Sequence, residues 1–533
     1  MKYCESIYQT KRFKTREIQV GSLKLGGSNP IRLQSMTTSN TRDVDKTVEQ
    51  IIRLADAGCE IARVTVQGKK EALACEAIKN ALIQRGYLIP IVADIHFYPP
   101  AALLVSEFVD KVRVNPGNFA DIRATFKVIE YTDAAYEQEL VKIEERFSPL
   151  VEKCKRLKKA IRIGTNHGSL SDRIMNRFGD TPRGMVESAF EFARVCRKYD
   201  FHDFCFSMKA SNPVVMIHAY RLLAAEMIKE GWDYPLHLGV TEAGEGEDGR
   251  IKSAMGIGAL LLDGLGDTIR VSLTEDPWEE IDPCKRLAEF AKRSWGKGVD
   301  PFEEKMRDIT QLEKRKVIYP KPFHEKGSVV LKKEGGYFID ETLLNPNDWL
   351  LFRPEISPVH EVRRFVEKLK REKNTLPLIV ELDHSACTPE DLPIHAGAEY
   401  GAILCDQLAE GVCVSDAKLG LDLLQSARMR MSKTDFISCP GCGRTLFDLK
   451  EVSRRIREKT AHLPGVKIAI MGCIVNGPGE MADADFGYVG SKPGKIDLYI
   501  GKTCVERDVE FEDADSKLID LIKSQGKWVD CVS

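Results

Sequence analysis

Between Ile31 and Leu273 the chain alternates short apolar runs of β character with longer stretches whose apolar residues recur at helical spacing. The β runs cover residues 32–36, 61–66, 89–95, 111–115, 160–166, 204–210, 236–242 and 268–273, and stretches such as 44–57, 181–198 and 214–229 read as the helices between them. Eight strands joined by helices predict an α/β fold whose N-terminal part is a (β/α)8 TIM-like barrel. Residues 131–159 read as an enlarged connection or extra helix before the fifth strand. Gly256-Ile257-Gly258 superficially resembles a dinucleotide loop opening a helical stretch at 259–262. It lacks the third glycine and a strand directly before it, so a nucleotide site is not expected there.

The pattern changes after the barrel. Residues 295–431 hold Lys/Glu-rich helices, a hairpin expected around Gly335-Gly336, and apolar runs at 377–382 and 402–405, which read as an inserted α/β middle domain serving as spacer or scaffold. Its last helix, 418–431, runs into the final segment, 432–533. There a helix at 445–459, a strand at 466–471 and β runs at 486–489 and 496–500 predict a small α+β domain. The three expected domains are therefore 1–294, 295–431 and 432–533.

Charge in the strands alters this purely structural picture. Successive runs contain Arg63, Asp94, Arg113, Arg162, Lys209, Glu242 and Arg270 among valines, isoleucines and leucines. Side chains alternate across a strand, so Arg113 shares a face with Asn115, Arg162 with Asn166, and Arg270 with Ser272. With those faces inward at the C-terminal mouth, five cations converge on two carboxylates. Such a set repels itself unless a polyanion binds, and guanidinium forks beside amides and hydroxyls suit phosphate oxygens. The alternative is that each cation pairs with its own protein acid. His96, two residues after Asp94, is expected to be a packed structural residue.

At 533 residues the chain exceeds one core, and 43% apolar with 30% charged residues is ordinary for a globular protein. A net charge of −2 argues against generic nucleic-acid binding. Residues 1–20 lack an apolar leader core and no run approaches the roughly 18 apolar residues that span a bilayer, so a cytoplasmic protein without membrane contact is expected. Fifteen irregularly spaced cysteines do not form a disulfide framework, and Cys59, Cys75, Cys196 and Cys205 read as core residues. Cys387, Cys405, Cys413, His384 and His395 fit no common metal-ligand spacing.

The C-terminal cysteines differ. Cys439-Pro440-Gly441-Cys442-Gly443-Arg444 places two thiols within reach of one metal or cluster, and Met471-Gly472-Cys473 through Asn476-Gly477-Pro478-Gly479-Glu480 adds a third thiol and a carboxylate. Glycines and prolines around them let the backbone wrap a bulky inorganic group. A carboxylate beside three thiolates is the weaker, exchangeable ligand, which points to a reactive site. Zinc favours the same sulfur-rich set, so spacing leaves a structural zinc open, and with it a barrel lyase or aldolase acting on a phosphorylated substrate.

Six separated motifs together resemble the 4-hydroxy-3-methylbut-2-enyl diphosphate synthase family of the methylerythritol phosphate route to isoprenoids. They are Lys111 to Asn118 (KVRVNPGN), Ile161 to Asn166 with Gly168 to Leu170, His237 to Gly244 (HLGVTEAG), Gly266 to Leu273 (GDTIRVSL), Cys439 to Arg444 and Met471 to Glu480. The resemblance covers about 15–290 and 430–505. It implies a 4Fe-4S cluster on Cys439, Cys442, Cys473 and Glu480. It also implies reductive ring opening and dehydroxylation of 2-C-methyl-D-erythritol 2,4-cyclodiphosphate. Arg63, Arg113, Arg162, Asn166, Lys209, Arg270 and Ser272 would then hold the diphosphate, and Glu242 would be the catalytic proton donor or the hydrogen-bonding partner of the departing oxygen. Electrons would come from a ferredoxin or flavodoxin. The block at 295–431 resembles the insertion of the family's three-domain form, though it is short for it. Such a spacer lets cap and barrel come from one chain, which weakens the usual argument for an obligate homodimer and leaves a dimer open.

Overall fold

A computed structural model of the chain describes residues 1–121, 131–305, 308–309, 312–475, 477–481 and 483–530; Asn476 of the last motif lies outside them. Eight parallel strands form the barrel: β1 (Arg32–Met36), β2 (Ile61–Val66), β3 (Ile91–Ile95), β4 (Lys111–Val114), β5 (Ala160–Asn166), β6 (Phe204–Lys209), β7 (His237–Leu238) and β8 (Thr268–Ile269). Their order is β6-β5-β4-β3-β2-β1-β8-β7, and a parallel bridge from Phe206 to Leu236 closes the ring. The crossover helices begin on capping side chains: Asp43 accepts from Lys46 N, Thr181 from Gly184 N, and Asn212 from Val214 N ahead of Pro213. The extra helix before β5 is Asp133–Leu157.

The seventh and eighth strands are shorter than their apolar runs. Beyond Leu238 and Ile269 the chain leaves the ladder, and Glu242 takes a left-handed backbone at φ +49°. The mouth residues there serve the pocket rather than the sheet, and such sparsely populated backbone persists where its surroundings over-determine it.

The middle part builds a six-stranded sheet. Ser328–Lys333 and Gly336–Ile339 form the expected hairpin, while Leu350–Phe352, Leu378–Glu381 and Gly411–Val414 add parallel strands. The apolar run at 402–405 is not a strand; it ends the helix Leu392–Leu404. It is apolar because that helix is buried against the helix Gly246–Leu262, whose continuous course also corrects the expected start at 259. At Gly258 a Cβ would stand 2.3 Å from the Ala398 Cβ, so the glycine permits this close crossing instead of cradling a nucleotide. Barrel and middle part thus share one apolar core.

A fully buried charge network joins the same two parts. Arg221 Nε and Arg363 Nη2 each lie 2.8 Å from Asp263, and Arg221 Nη1 lies 2.5 Å from Asp406. Removing one charge from such a set leaves its partners buried and poorly compensated. Asp263→Asn should therefore lower unfolding stability by about 3–5 kcal/mol, read by urea denaturation; a change within about 0.5 kcal/mol would contradict this.

The C-terminal part has its own core, including Phe436, Val452, Ile456, Ile468, Tyr488 and Leu518. Its sheet runs Asp435–Ser438, Lys467–Met471, Phe486–Lys492, Lys495–Ile500 and Thr503–Glu510, the first three strands parallel and the last two antiparallel. The first and fifth of these strands, and the closing helix Ala514–Ser524, were not expected. The first matters most, because it delivers Cys439 beside the strand that delivers Cys473. The helix after the first cysteines starts at Leu449, where Asp448 caps it, and not at 445.

Candidate active site

Adjacent barrel strands place the charges in register. Asp94 pairs with Arg113, and Arg113 with Arg162, so two guanidinium groups stand side by side at the mouth. Glycines make room for them: a Cβ on Gly164 would lie 2.6 Å from Arg113 Nε, and one on Gly239 would lie 2.4 Å from Lys209 Nζ. This explains the glycines within the β5 and β7 motifs. Arg63, Arg113, Arg162, Asn166, Lys209, Glu242, Arg270 and Ser272 line one pocket together with Asp94 and Thr241.

Two of the five cations have acids of their own. Arg113 Nη1 lies 3.0 Å from Asp94 Oδ1, and Arg270 Nε and Nη2 lie 3.0 and 2.9 Å from the two oxygens of Glu280. Among the described residues no carboxylate lies within ion-pair distance of Arg63, Arg162 or Lys209. Arg162 Nη1 instead meets His237 Nδ1 at 2.9 Å. Burial, with Arg113 beside it, lowers the Arg162 pKa to about 10; burial and the neighbouring arginines hold Lys209 well below the usual lysine range. Buried cations without a carboxylate at ion-pair distance suit an anionic group.

The C-terminal part closes the pocket of its own barrel. Ala243 bridges to Ser438, Lys252 Nζ reaches Asp435 at 3.0 Å, Arg457 Nε reaches Glu245 at 2.9 Å, and Arg444 Nη2 reaches Asp94 at 3.3 Å. Cys439, Cys442, Cys473 and Glu480 thereby line the same pocket as the barrel cations. Gly472 N donates to Cys439 Sγ at 3.3 Å. Burial, with Cys442 and Cys473 also contributing, pushes the Cys439 thiol well above its ordinary pKa, so this sulfur resists becoming a thiolate without a cation beside it. That donor chemistry fits a multi-metal group bound by sulfur.

Glu480 hydrogen-bonds through Oε1 to Asn166 Nδ2 and stands beside Glu242. Burial, then the proximity of Glu480, raises the Glu242 pKa well above the carboxylate range; the carboxyl hydrogen-bonds with Glu480 and Thr241, while among the described residues its buried Oε2 finds no partner.

Three participants escaped the sequence reading of the site. Glu280, which neutralises Arg270, follows β8 in a Pro-Trp-Glu-Glu turn; Asp94 was seen as a strand charge but not as the partner of Arg113 and Arg444; and Arg444 sits directly after the paired cysteines, where its adjacency was the available signal. His96 Nε2 lies 2.7 Å from Arg113 Nη1 and 3.3 Å from Asp94 Oδ2, its Nδ1 lies 3.1 Å from the Asn118 side-chain amide, and burial drops its pKa to about 3, so it packs as a neutral ring.

Residues 15–285 match the family model described as GcpE TIM-barrel domain, and residues 435–524 match the one described as GcpE protein C-terminal domain. The chain is 52% identical to a 4-hydroxy-3-methylbut-2-en-1-yl diphosphate synthase (flavodoxin) of Protochlamydia amoebophila, covering 99% of this chain and 98% of that one. It is 49% identical to the chloroplastic ferredoxin-type synthase of Oryza sativa subsp. japonica, covering 99% and 89%. The first alignment spans 645 positions against 533 residues here, so more than a hundred positions have no counterpart in this chain.

Proposed function

Because this chain belongs to the GcpE family, we propose that its own residues carry the family's reaction as follows. The protein is a 4-hydroxy-3-methylbut-2-en-1-yl diphosphate synthase, an oxidoreductase that opens the ring of 2-C-methyl-D-erythritol 2,4-cyclodiphosphate and removes a hydroxyl as water, consuming two electrons. Whole-chain identity with synthases decides against the lyase or aldolase with a structural zinc. Residues 1–294 form the substrate-binding barrel, 295–431 a scaffold fused to it, and 432–533 the cap.

Cys439, Cys442, Cys473 and Glu480 would hold a 4Fe-4S cluster, supported by three thiols and a carboxylate lining one wall of the pocket. When bound, such a cluster supplies electrons one at a time and a Lewis-acid corner where the carboxylate ligand exchanges. Arg63, Arg113, Arg162, Lys209 and Arg270 bind the diphosphate, with Asn166 and Ser272 orienting it. Glu242 keeps a proton on its carboxyl and delivers it to the departing oxygen. The closed cap excludes water, which strengthens each of these interactions. The electron donor is a small one-electron protein of ferredoxin or flavodoxin type, as the relatives' names indicate.

One observation carries this reading: a single pocket is lined by uncompensated barrel cations on one side and by three cysteines on the other. The test is anaerobic turnover of the cyclic diphosphate with dithionite and a viologen mediator; absence of product from iron-loaded protein would refute it. Arg162→Ala should weaken substrate binding about a hundredfold and reduce its salt dependence, measured by titration at two ionic strengths. Unchanged affinity would place the diphosphate elsewhere.

A further inference from the structure

We propose that Arg444 is a positioning residue that couples closure of the cap to the ease with which the sulfur site accepts an electron. Resting on the reading above, this assigns a role to the one cation that the cap contributes among the described pocket-lining residues. Arg444 leaves its loop two residues after Cys442 and crosses to the barrel, where Nη2 lies 3.3 Å from Asp94 Oδ2. Asp94 is already engaged by Arg113 at 3.0 Å, so a single barrel carboxylate holds one floor cation and one cap cation. The Arg444 side chain is largely buried, with a side-chain hydrogen bond to Cys442, and among the described residues its Nε and Nη1 find no nitrogen or oxygen acceptor. A buried, incompletely partnered guanidinium is costly unless the state it serves returns that energy.

The neighbours of Arg444 identify that state. Its charge interacts with the sulfurs of Cys442 and Cys473 as well as with Asp94. A sulfur-bound cluster gains negative charge on reduction, and a fixed positive charge beside two of its ligands favours the reduced form. Asp94 fixes Arg444 in that place only while the cap lies on the barrel. Closure therefore raises the reduction potential, and by reciprocity reduction favours closure. The arrangement makes electron uptake easiest when the pocket is shut and water is excluded.

Two measurements test this without relying on turnover. In cluster-free protein, Arg444→Gln should speed hydrogen exchange in the 94–98 and 439–444 loops about tenfold or more, the loss expected from one buried charge-assisted contact. Unchanged exchange overturns the closure role. In cluster-loaded protein, anaerobic redox titration followed by the electron paramagnetic resonance of the reduced state should show a more negative midpoint for Arg444→Gln at wild-type iron and sulfide content, with Arg444→Lys restoring it. An unchanged midpoint overturns the tuning role. If Arg444→Gln cannot retain the cluster, retention by Arg444→Lys supports the need for charge at this place, and loss in both overturns it. Wild-type protein that binds no iron would fail the cluster assignment instead, and the exchange measurement alone would then decide the closure role.

Discussion

Cys473→Ala purified without oxygen is expected to carry almost no iron or sulfide, where the parent protein is expected to carry about four of each per chain, and to show no turnover with dithionite and viologen. The cap itself should stay folded. Cys473 is only half-buried and follows the strand Lys467–Met471, while the C-terminal core rests on residues such as Ile468, Val452 and Leu518 that the substitution does not touch. If Cys439, Cys442, Cys473 and Glu480 are the ligands, as proposed, removing Cys473 leaves two thiols and one carboxylate, too few strong donors to hold a cluster against exchange. Metal and sulfide analysis beside circular dichroism reads both parts. Full retention of iron and sulfide would remove Cys473 from the ligand set.

The second large effect is expected at Glu242. Glu242→Gln keeps the volume and the hydrogen-bonding outline but loses the acidic proton, so turnover should fall by about 10²–10⁴ while substrate affinity changes only a few-fold. Burial, and after it the neighbouring Glu480, raise the Glu242 pKa well above its ordinary range, which favours the protonated form that a donor needs. The amide also relieves the crowding of two carboxyl groups, so weaker binding is not the expected outcome. Single-turnover kinetics with a separate binding titration distinguishes the two quantities. Undiminished turnover would exclude Glu242 from the proton transfer.

Much of the architecture was legible in the chain because it rests on local rules. The first, second and fifth strands coincide with their apolar runs because they are contiguous buried segments, and the helix Val44–Ala57 with its predicted span because Thr47, Val48, Ile51 and Leu54 form one buried stripe behind the Asp43 cap. The seventh and eighth strands were overdrawn because apolar composition cannot reveal where a chain leaves the ladder to build a pocket. The run at 402–405 was misread because a helix buried on all sides and a buried strand have the same composition, and only packing against Gly258 separates them.

By itself, then, the sequence determined which residue types are present for the chemistry: cations on successive strands, and three cysteines with a carboxylate on glycine-rich loops. These are properties of single positions and their near neighbours. Only the tertiary structure decided which charges remain uncompensated. Arg270 finds Glu280 only ten positions away, on the turn after β8, whereas Arg444 finds Asp94 across 350 positions and two domains. Arg63, Arg162 and Lys209 find no acid among the described residues. Charge neutralisation is a property of pairs, and pairs exist only once the chain has brought distant segments within a few ångströms.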